Sequence, residues 1–490
     1  MRGNDDEPND AMLLWRIVTD HPDIFDTHIV TKLNGNDVKF FYDVNSESRA
    51  AIQRSKVHLP DAFEIGDFNT KSTLSWALEK CTEEKEWFCS KMAEKGSLEL
   101  LKFVRGKGCP WDRWTCSLAA RNGHLECLKY AHENGCPWGI IWNEDTDEDT
   151  HVDTCSLAAE NGHLECLKYA HENGCTWDEE ACNLAAANGR LECLKYAHEN
   201  ECPWDEGTCE AAALNGCLEC LQYLHENGCP WDEMTCTAAA NSGHLECLKY
   251  AHVNRCSWDE TTCSHAAWNG HLECLKYAHV NECPWDEGTC NLAARNSHLE
   301  CLKYAHVNGC PWDEEACQEA PGHLECLKYL HENGCPWNEM TCICAAFGGH
   351  LECLKYAREN GCPWDEEACN LAAVKGRLEC LKYARENGCP WVEKTCSFAA
   401  LEGRLECLKY AHENGCPWDE KTCSNAAKNG HLECLKYARK NGCPWDEKTC
   451  SEAALKGHFE CLKYAHENGC PWDEETFNNA ISFSRESESF

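Results

Sequence analysis

The chain has 490 residues, of which 83 are acidic and 45 basic, for a formal net charge of −38, and it carries 44 cysteines. A surface this acidic repels phosphate, which argues against nucleic-acid binding and against docking on an anionic membrane. The opening MRGNDDEPND lacks the apolar stretch of a secretory signal, and no run of about 18 apolar residues follows, so neither export nor a membrane span is expected. Cysteine-dense secreted proteins are usually short, so a long chain of this kind belongs in a reducing compartment, cytoplasm or nucleus, with its thiols free.

Residues 1–22 read as an acidic, flexible start. Residues 23–60 carry a helical spacing of apolar and acidic positions: Ile29, Val30, Leu33, Asp37, Val38 and Val44. This spacing resembles an F-box, and the resemblance implies that those six residues bind a Skp-type adaptor of a cullin ubiquitin ligase. The Leu-Pro opening and the later tryptophan of an F-box are missing, with Asp23-Ile24-Phe25 and Arg49 nearby. The alternative is a helical cap shielding the first repeat, which a solenoid needs at each end. A connecting stretch, 61–84, follows.

From residue 85 to 481 the chain repeats itself. The tryptophans from Trp111 and Trp138 to Trp445 and Trp472 recur at steps of 27 residues, with an insertion at 139–152 and a shortened repeat near 317–326. A fixed period of this size signals a solenoid whose units pack on their neighbours. One unit reads as two short helices. In WDEEACNLAAANG, Trp177 to Gly189, Asp178 suits an N-cap, acidic residues fill the first turn, and Gly189 suits a left-handed C-cap. RLECLKYAHEN, Arg190 to Asn200, places Leu191, Cys193, Leu194 and Ala197 on one apolar stripe.

TCSLAARNGHLECLKYAHENGCPW, Thr115 to Trp138, resembles the ankyrin repeat in its Ala-Ala, its Gly-His and its Leu-Glu-x-x-Lys. The resemblance covers roughly 85–480 and implies an all-α, ankyrin-like solenoid of stacked helix pairs, preceded by a small helical N-terminal region. The family unit has about 33 residues and includes a β-turn. WDEET replaces that turn here, so little or no β-hairpin is expected.

The alignment places Cys182, Cys193 and Cys202 on buried apolar positions, where a free cysteine acts as a small hydrophobe. Zinc sites favour close pairs such as C-x-x-C, and only Cys217 and Cys220 show that spacing. No metal site and no cofactor are therefore assigned. Each repeated tryptophan is expected to bury its ring, about 150–250 Å² apiece. His124 and its equivalents alternate with Arg190, Arg377 and Arg404; His132 and its equivalents alternate with Arg358, Arg385 and Arg439. A ligand or general base would not survive that exchange, so both sets are read as structural or solvated.

Variation is concentrated on the first helix, which lines the inner face of an ankyrin-like stack. A constant frame with a variable face is the pattern of a binding surface. His265, Trp268, Arg295, Phe347, Phe398 and Lys428 are its candidate partner-binding residues. In the insertion, Asp145, Asp147 and Asp149 alternate as in a calcium loop, without its glycine and terminal glutamate, so an acidic surface loop is expected. Loss of two residues before Pro321 should shorten one first helix. Phe477 opens a capping half-repeat, and 482–490 form a polar tail.

No nucleophile elbow, phosphate loop or unrepeated ligand pair appears, so the chain is not read as an enzyme. The reading is a monomeric protein-interaction scaffold whose partner presents a basic surface. The alternatives are a substrate-recognition subunit of a ubiquitin ligase and a cysteine-rich metal-binding protein.

Overall fold

The computed structural model describes residues 70–80, 85, 87–142, 151–471 and 476. The F-box-like positions Ile29, Val30, Leu33, Asp37, Val38 and Val44 lie outside the described residues, as do Asp145, Asp147, Asp149 and the tail from Phe477. The fold is an all-α solenoid of helix pairs. Its contacts divide the chain into two units, Met1–Trp231 and Asp232–Phe490.

In the first unit a helix at Lys71–Lys80 packs on the helix Leu98–Gly106, so helical stacking already begins within the stretch read as a connection. Helix pairs then follow, such as Glu179–Ala187 with Leu191–Glu199. The second unit runs in the same way from Glu233–Asn241 to Phe459–Glu467. No described helix is long and apolar enough to cross a membrane.

Local sequence sets each boundary. Asp178, Asp232, Asp259 and Asp365 have extended backbones, and each side chain accepts the backbone N–H of the second helical residue. Such a cap satisfies one of the donors that every helix start leaves without an intrahelical partner. At the other end of the second helix, asparagines such as Asn134 and Asn308 donate Nδ2 to the carbonyl four residues back, at 2.8 Å.

Within each unit, first helices pack more closely on one another than second helices do. The reason is side-chain size: the facing residues are Ala185, Ala186 and Cys182 in one repeat and Ala212, Ala213 and Cys209 in the next, all fully buried. Leu128, Leu194 and Leu302 on the second helices are fully buried. Small side chains allow close packing but bury little area each, so the core needs many repeats of a modest gain.

Two irregularities alter single repeats. The ends of the insertion pair as an antiparallel hairpin, Ile140–Trp142 with His151–Asp153, with Ile141 opposite Val152. The expected surface loop is thus stapled at its base, and among the described residues the hairpin belongs to the insertion and not to the repeat. Where two residues are lost, the first helix is Glu314–Glu319, 6 residues against 9 in the neighbouring repeat, and it ends just before Pro321.

Candidate functional site

Three constructions recur along the array: a ring-and-cation ladder on the loops, a thiol pair in the core, and a variable row on the first helices.

The ladder joins successive repeats. His171 lies parallel to Trp177, with 3.8 Å between ring centroids and 10° between planes, and its Nδ1 hydrogen-bonds to the hydroxyl of Tyr196 in the next repeat. Trp177 meets Tyr196 edge-on at 6.1 Å. Where arginine replaces the histidine, its guanidinium takes the same place: Arg358 lies 4.6 Å from the Trp364 ring and Arg439 lies 4.2 Å from the Trp445 ring. Either residue presents a flat, polar-edged group to the indole face. The tryptophans themselves are half-buried, not buried as expected. One edge stays at the surface, where Trp111 donates its Nε1–H to the Asn134 carbonyl at 2.8 Å.

The second His/Arg position also has a common task. Arg190 donates Nε–H to the Glu160 carbonyl at 3.2 Å, and Arg404 donates to Val374 at 3.2 Å. His163 and His271 hold the equivalent carbonyls of Arg121 and Asn241. These rings sit above the preceding repeat's glycine: a Cβ on Gly243 would come within 2.5 Å of His271 Nδ1. Burial pushes the pKa of His163 and His271 below the ordinary imidazole value. Cys217 fills this position in one repeat and reaches the Ala187 carbonyl with its thiol, at 3.5 Å. Being smaller than histidine, it leaves an open groove beside Gly189, Gly216 and Glu219.

Among the described residues all cysteines are buried except Cys217 and Cys344, which are half-buried. The apolar role assigned to Cys182, Cys193 and Cys202 matches their exposures of 0%, 1% and 4%. What spacing did not show is a pairing inside the repeat. The first-helix thiol hydrogen-bonds with the thiol after the second helix, from Cys116 with Cys136 to Cys450 with Cys470. The partner thiol and then burial push Cys116, Cys155 and Cys236 far above the ordinary thiol range. The loop thiol commonly also points at the carbonyl of the capping residue, as Cys202 does at Asp178 O, 3.1 Å away.

In one repeat a carboxylate joins the pair. One carboxylate oxygen of Asp153 and the sulfurs of Cys155 and Cys175 lie within 4.8 Å of one another. Asp153 caps the helix Thr154–Asn161 by accepting Ser156 N–H at 2.8 Å. Residues 20 positions apart form no recognisable ligand spacing, and the sequence assigned no metal residues.

The variable row contains the predicted partner residues. Trp268 and Phe347 are exposed, at 38% and 42%. Arg295 sits 5.5 Å over the Trp268 ring and pairs with Glu319 at 3.3 Å, so one link spans three first helices. Lys375 lies 4.8 Å from the Phe347 ring. Lys428 pairs with Glu452 at 3.4 Å. Phe398 and His265 are half-buried, and His265 turns its Nδ1 to the Thr261 carbonyl of its own helix at 2.8 Å, leaving it a weaker anchor. Met234 and Met340, at the variable position before the first-helix threonine, are exposed near the starts of first helices. One set escaped the sequence reading: Val253, Val280 and Val307 are 72–77% exposed at the ends of three successive second helices. The signal was there: valine replaces the usual glutamate in three consecutive copies of KYAHEN.

Comparison with known families bears on this geometry directly. A family model for ankyrin repeats (3 copies) matches residues 155–235, and a second, for ankyrin repeats (many copies), matches 236–279, 315–358 and 396–439. The chain belongs to the ankyrin-repeat family. No curated protein matches it. In this ankyrin-repeat protein the stretches between the matched segments contain the same helix pairs, for example Glu366–Val374 with Leu378–Glu386. Ankyrin repeats are in general protein-interaction modules, which directs attention to the variable row.

Proposed function

We propose that this chain is a protein-interaction scaffold that binds a partner through the variable row of its first helices. The observation that carries the reading is the exposure of Trp268 and Phe347 at a position that changes from copy to copy within a near-constant frame. Half-exposed aromatic rings flanked by polar groups are the usual anchors of an interface. The net charge of −38 favours a partner with a basic surface, whose cations take over the ring faces that Arg295 and Lys375 now occupy. A photo-crosslinking residue placed at Trp268 or Phe347, with Glu300 on the polar side of a second helix as control, tests this. The same discrete protein should be captured at 268 and 347 and not at 300. Trp268→Ala and Phe347→Ala should each weaken binding of that protein by about 2 kcal/mol. Equal labelling at all three positions would sink the reading.

A second role, recruitment of a Skp-type adaptor by Ile29, Val30, Leu33, Asp37, Val38 and Val44, is supported by the sequence spacing. Co-purification of the adaptor with the full chain, and its loss on deleting residues 1–60, is the result that role requires.

A further inference from the structure

The insertion changes the chemistry of one thiol pair. In ordinary repeats the capping aspartate stands three residues before the residue that precedes the first-helix cysteine, as Asp205 precedes Thr208. What such an aspartate offers the loop thiol is its backbone carbonyl: Cys256 reaches Asp232 O at 3.0 Å and Cys389 reaches Asp365 O at 3.0 Å. Its carboxylate is turned to the helix start, Asp232 Oδ1 accepting Met234 N–H at 3.0 Å. In the repeat after the insertion the helix begins at Thr154, and the cap is Asp153, directly before it. The shorter lead brings the side chain, in place of the carbonyl, to the thiols. Cys175 contacts its neighbour's carbonyl, Thr176 O, at 3.6 Å and pairs with the Cys155 thiol.

The donor set is then two sulfurs and one carboxylate oxygen, all within 4.8 Å of one another. Zinc binds sulfur at about 2.3 Å and carboxylate oxygen at about 2.0–2.2 Å, which puts tetrahedral donors roughly 3.5–3.8 Å apart. The cluster reaches that geometry with small side-chain movements. Calcium and magnesium take oxygen donors, and copper(I) takes sulfur without carboxylate. A mixed set of this kind suits a borderline divalent ion, with water in the fourth position. Both cysteines and Asp153 lie on rigid elements, a helix, a hairpin end and a loop held by backbone hydrogen bonds.

We propose that Asp153, Cys155 and Cys175 form a zinc site, which the thiol pairs of the other repeats do not. Both thiols bind as thiolates, so each ion captured releases two protons to solvent, and Asp153 adds the third negative ligand.

The test uses the reduced, metal-stripped full chain, titrated with cobalt(II) and then competed with zinc. A single tight equivalent is expected, with a thiolate-to-cobalt charge-transfer band in the near ultraviolet. Asp153→Asn keeps a good helix cap but loses the anionic ligand, and should weaken binding by about tenfold or more. Asp178→Asn, at the ordinary cap of the next repeat, should leave the affinity unchanged. Cys175→Ser should abolish the band, and its metal-free unfolding midpoint shows whether the fold is retained. Several equivalents bound without regard to Asp153, or no charge-transfer band in the folded protein, would overturn the proposal.

Discussion

The imidazole of His306 lies parallel to the indole of Trp312, 3.8 Å between centroids with 12° between planes, while its Nδ1 hydrogen-bonds to the Tyr329 hydroxyl of the following repeat at 2.9 Å. One side chain thus ties a loop to its own repeat and to the next. His306→Ala should lower stability by about 1–2 kcal/mol, the sum of a ring contact and a hydrogen bond. His306→Arg should recover more than half of that, because Arg385 already stacks on Trp391 at 4.4 Å. Urea unfolding followed by tryptophan emission and by circular dichroism gives both numbers.

Positive φ recurs at two positions in most repeats, usually at glycine, and the two are not equivalent. Gly243 (φ 76°) faces His271, whereas a Cβ on Gly309 (φ 85°) meets nothing within 4 Å. The open position already tolerates Glu201, Arg255 and Glu282. The blocked one carries Ser297, followed by the shortened repeat, in which His323 has φ −134° against −83° for His271. Gly309→Ala should therefore cost about 1 kcal/mol, the left-handed backbone penalty. Gly243→Ala should cost at least about 1 kcal/mol more, from the collision with the His271 ring. Equal losses in thermal unfolding would refute the distinction.

Val392 stands where other repeats have a capping aspartate, and it provides no side-chain cap to the helix Glu393–Leu401. Its backbone is already extended (φ −131°), like that of Asp419 (φ −132°). Val392→Asp should therefore stabilise the protein by about 1 kcal/mol. Hydrogen exchange at the first amides of that helix should slow in proportion.

Burial holds the pKa of His271 below the ordinary imidazole value, opposed by its bond to the Asn241 carbonyl and reinforced by His244 and His298. The unfolded chain then binds more protons near neutrality, so stability falls as pH drops below about 6.5, the unfolded value, and levels off below the folded one. His271→Arg removes that titration and keeps the donor, as Arg190 does naturally. The difference in melting temperature between wild type and variant should grow in the variant's favour from about pH 7.5 to about pH 5.5. Comparing the two proteins cancels the effect of the large acidic charge, which also changes over this range.

Much of this was legible in the sequence because a repeat displays its own constraints. Two helices per 27 residues, Asp178 as a cap, Gly189 as a left-handed terminus and cysteine as a core residue all follow from local preferences and apolar periodicity. The His/Arg exchanges argued against a ligand or general-base role at those positions. They did not say what the side chains do, because the answer lies in another repeat: Trp177 with Tyr196, Arg190 with the Glu160 carbonyl. The thiol pairs lie within one repeat but were hidden by separation along the chain. Cys182 and Cys202 are 20 residues apart and meet because two helices fold back between them.

The sequence by itself determined the helix pair, its caps and the apolar identity of its core, since those depend on residues within about one helical turn of each other. The tertiary structure alone decided which variable residues reach solvent and which groups meet. Trp268 stays at the surface under Arg295, His265 folds back on Thr261, and Asp153 arrives beside Cys155 and Cys175 because an insertion moved the start of one helix. Those outcomes depend on the rise and stagger between neighbouring repeats, which no local pattern encodes.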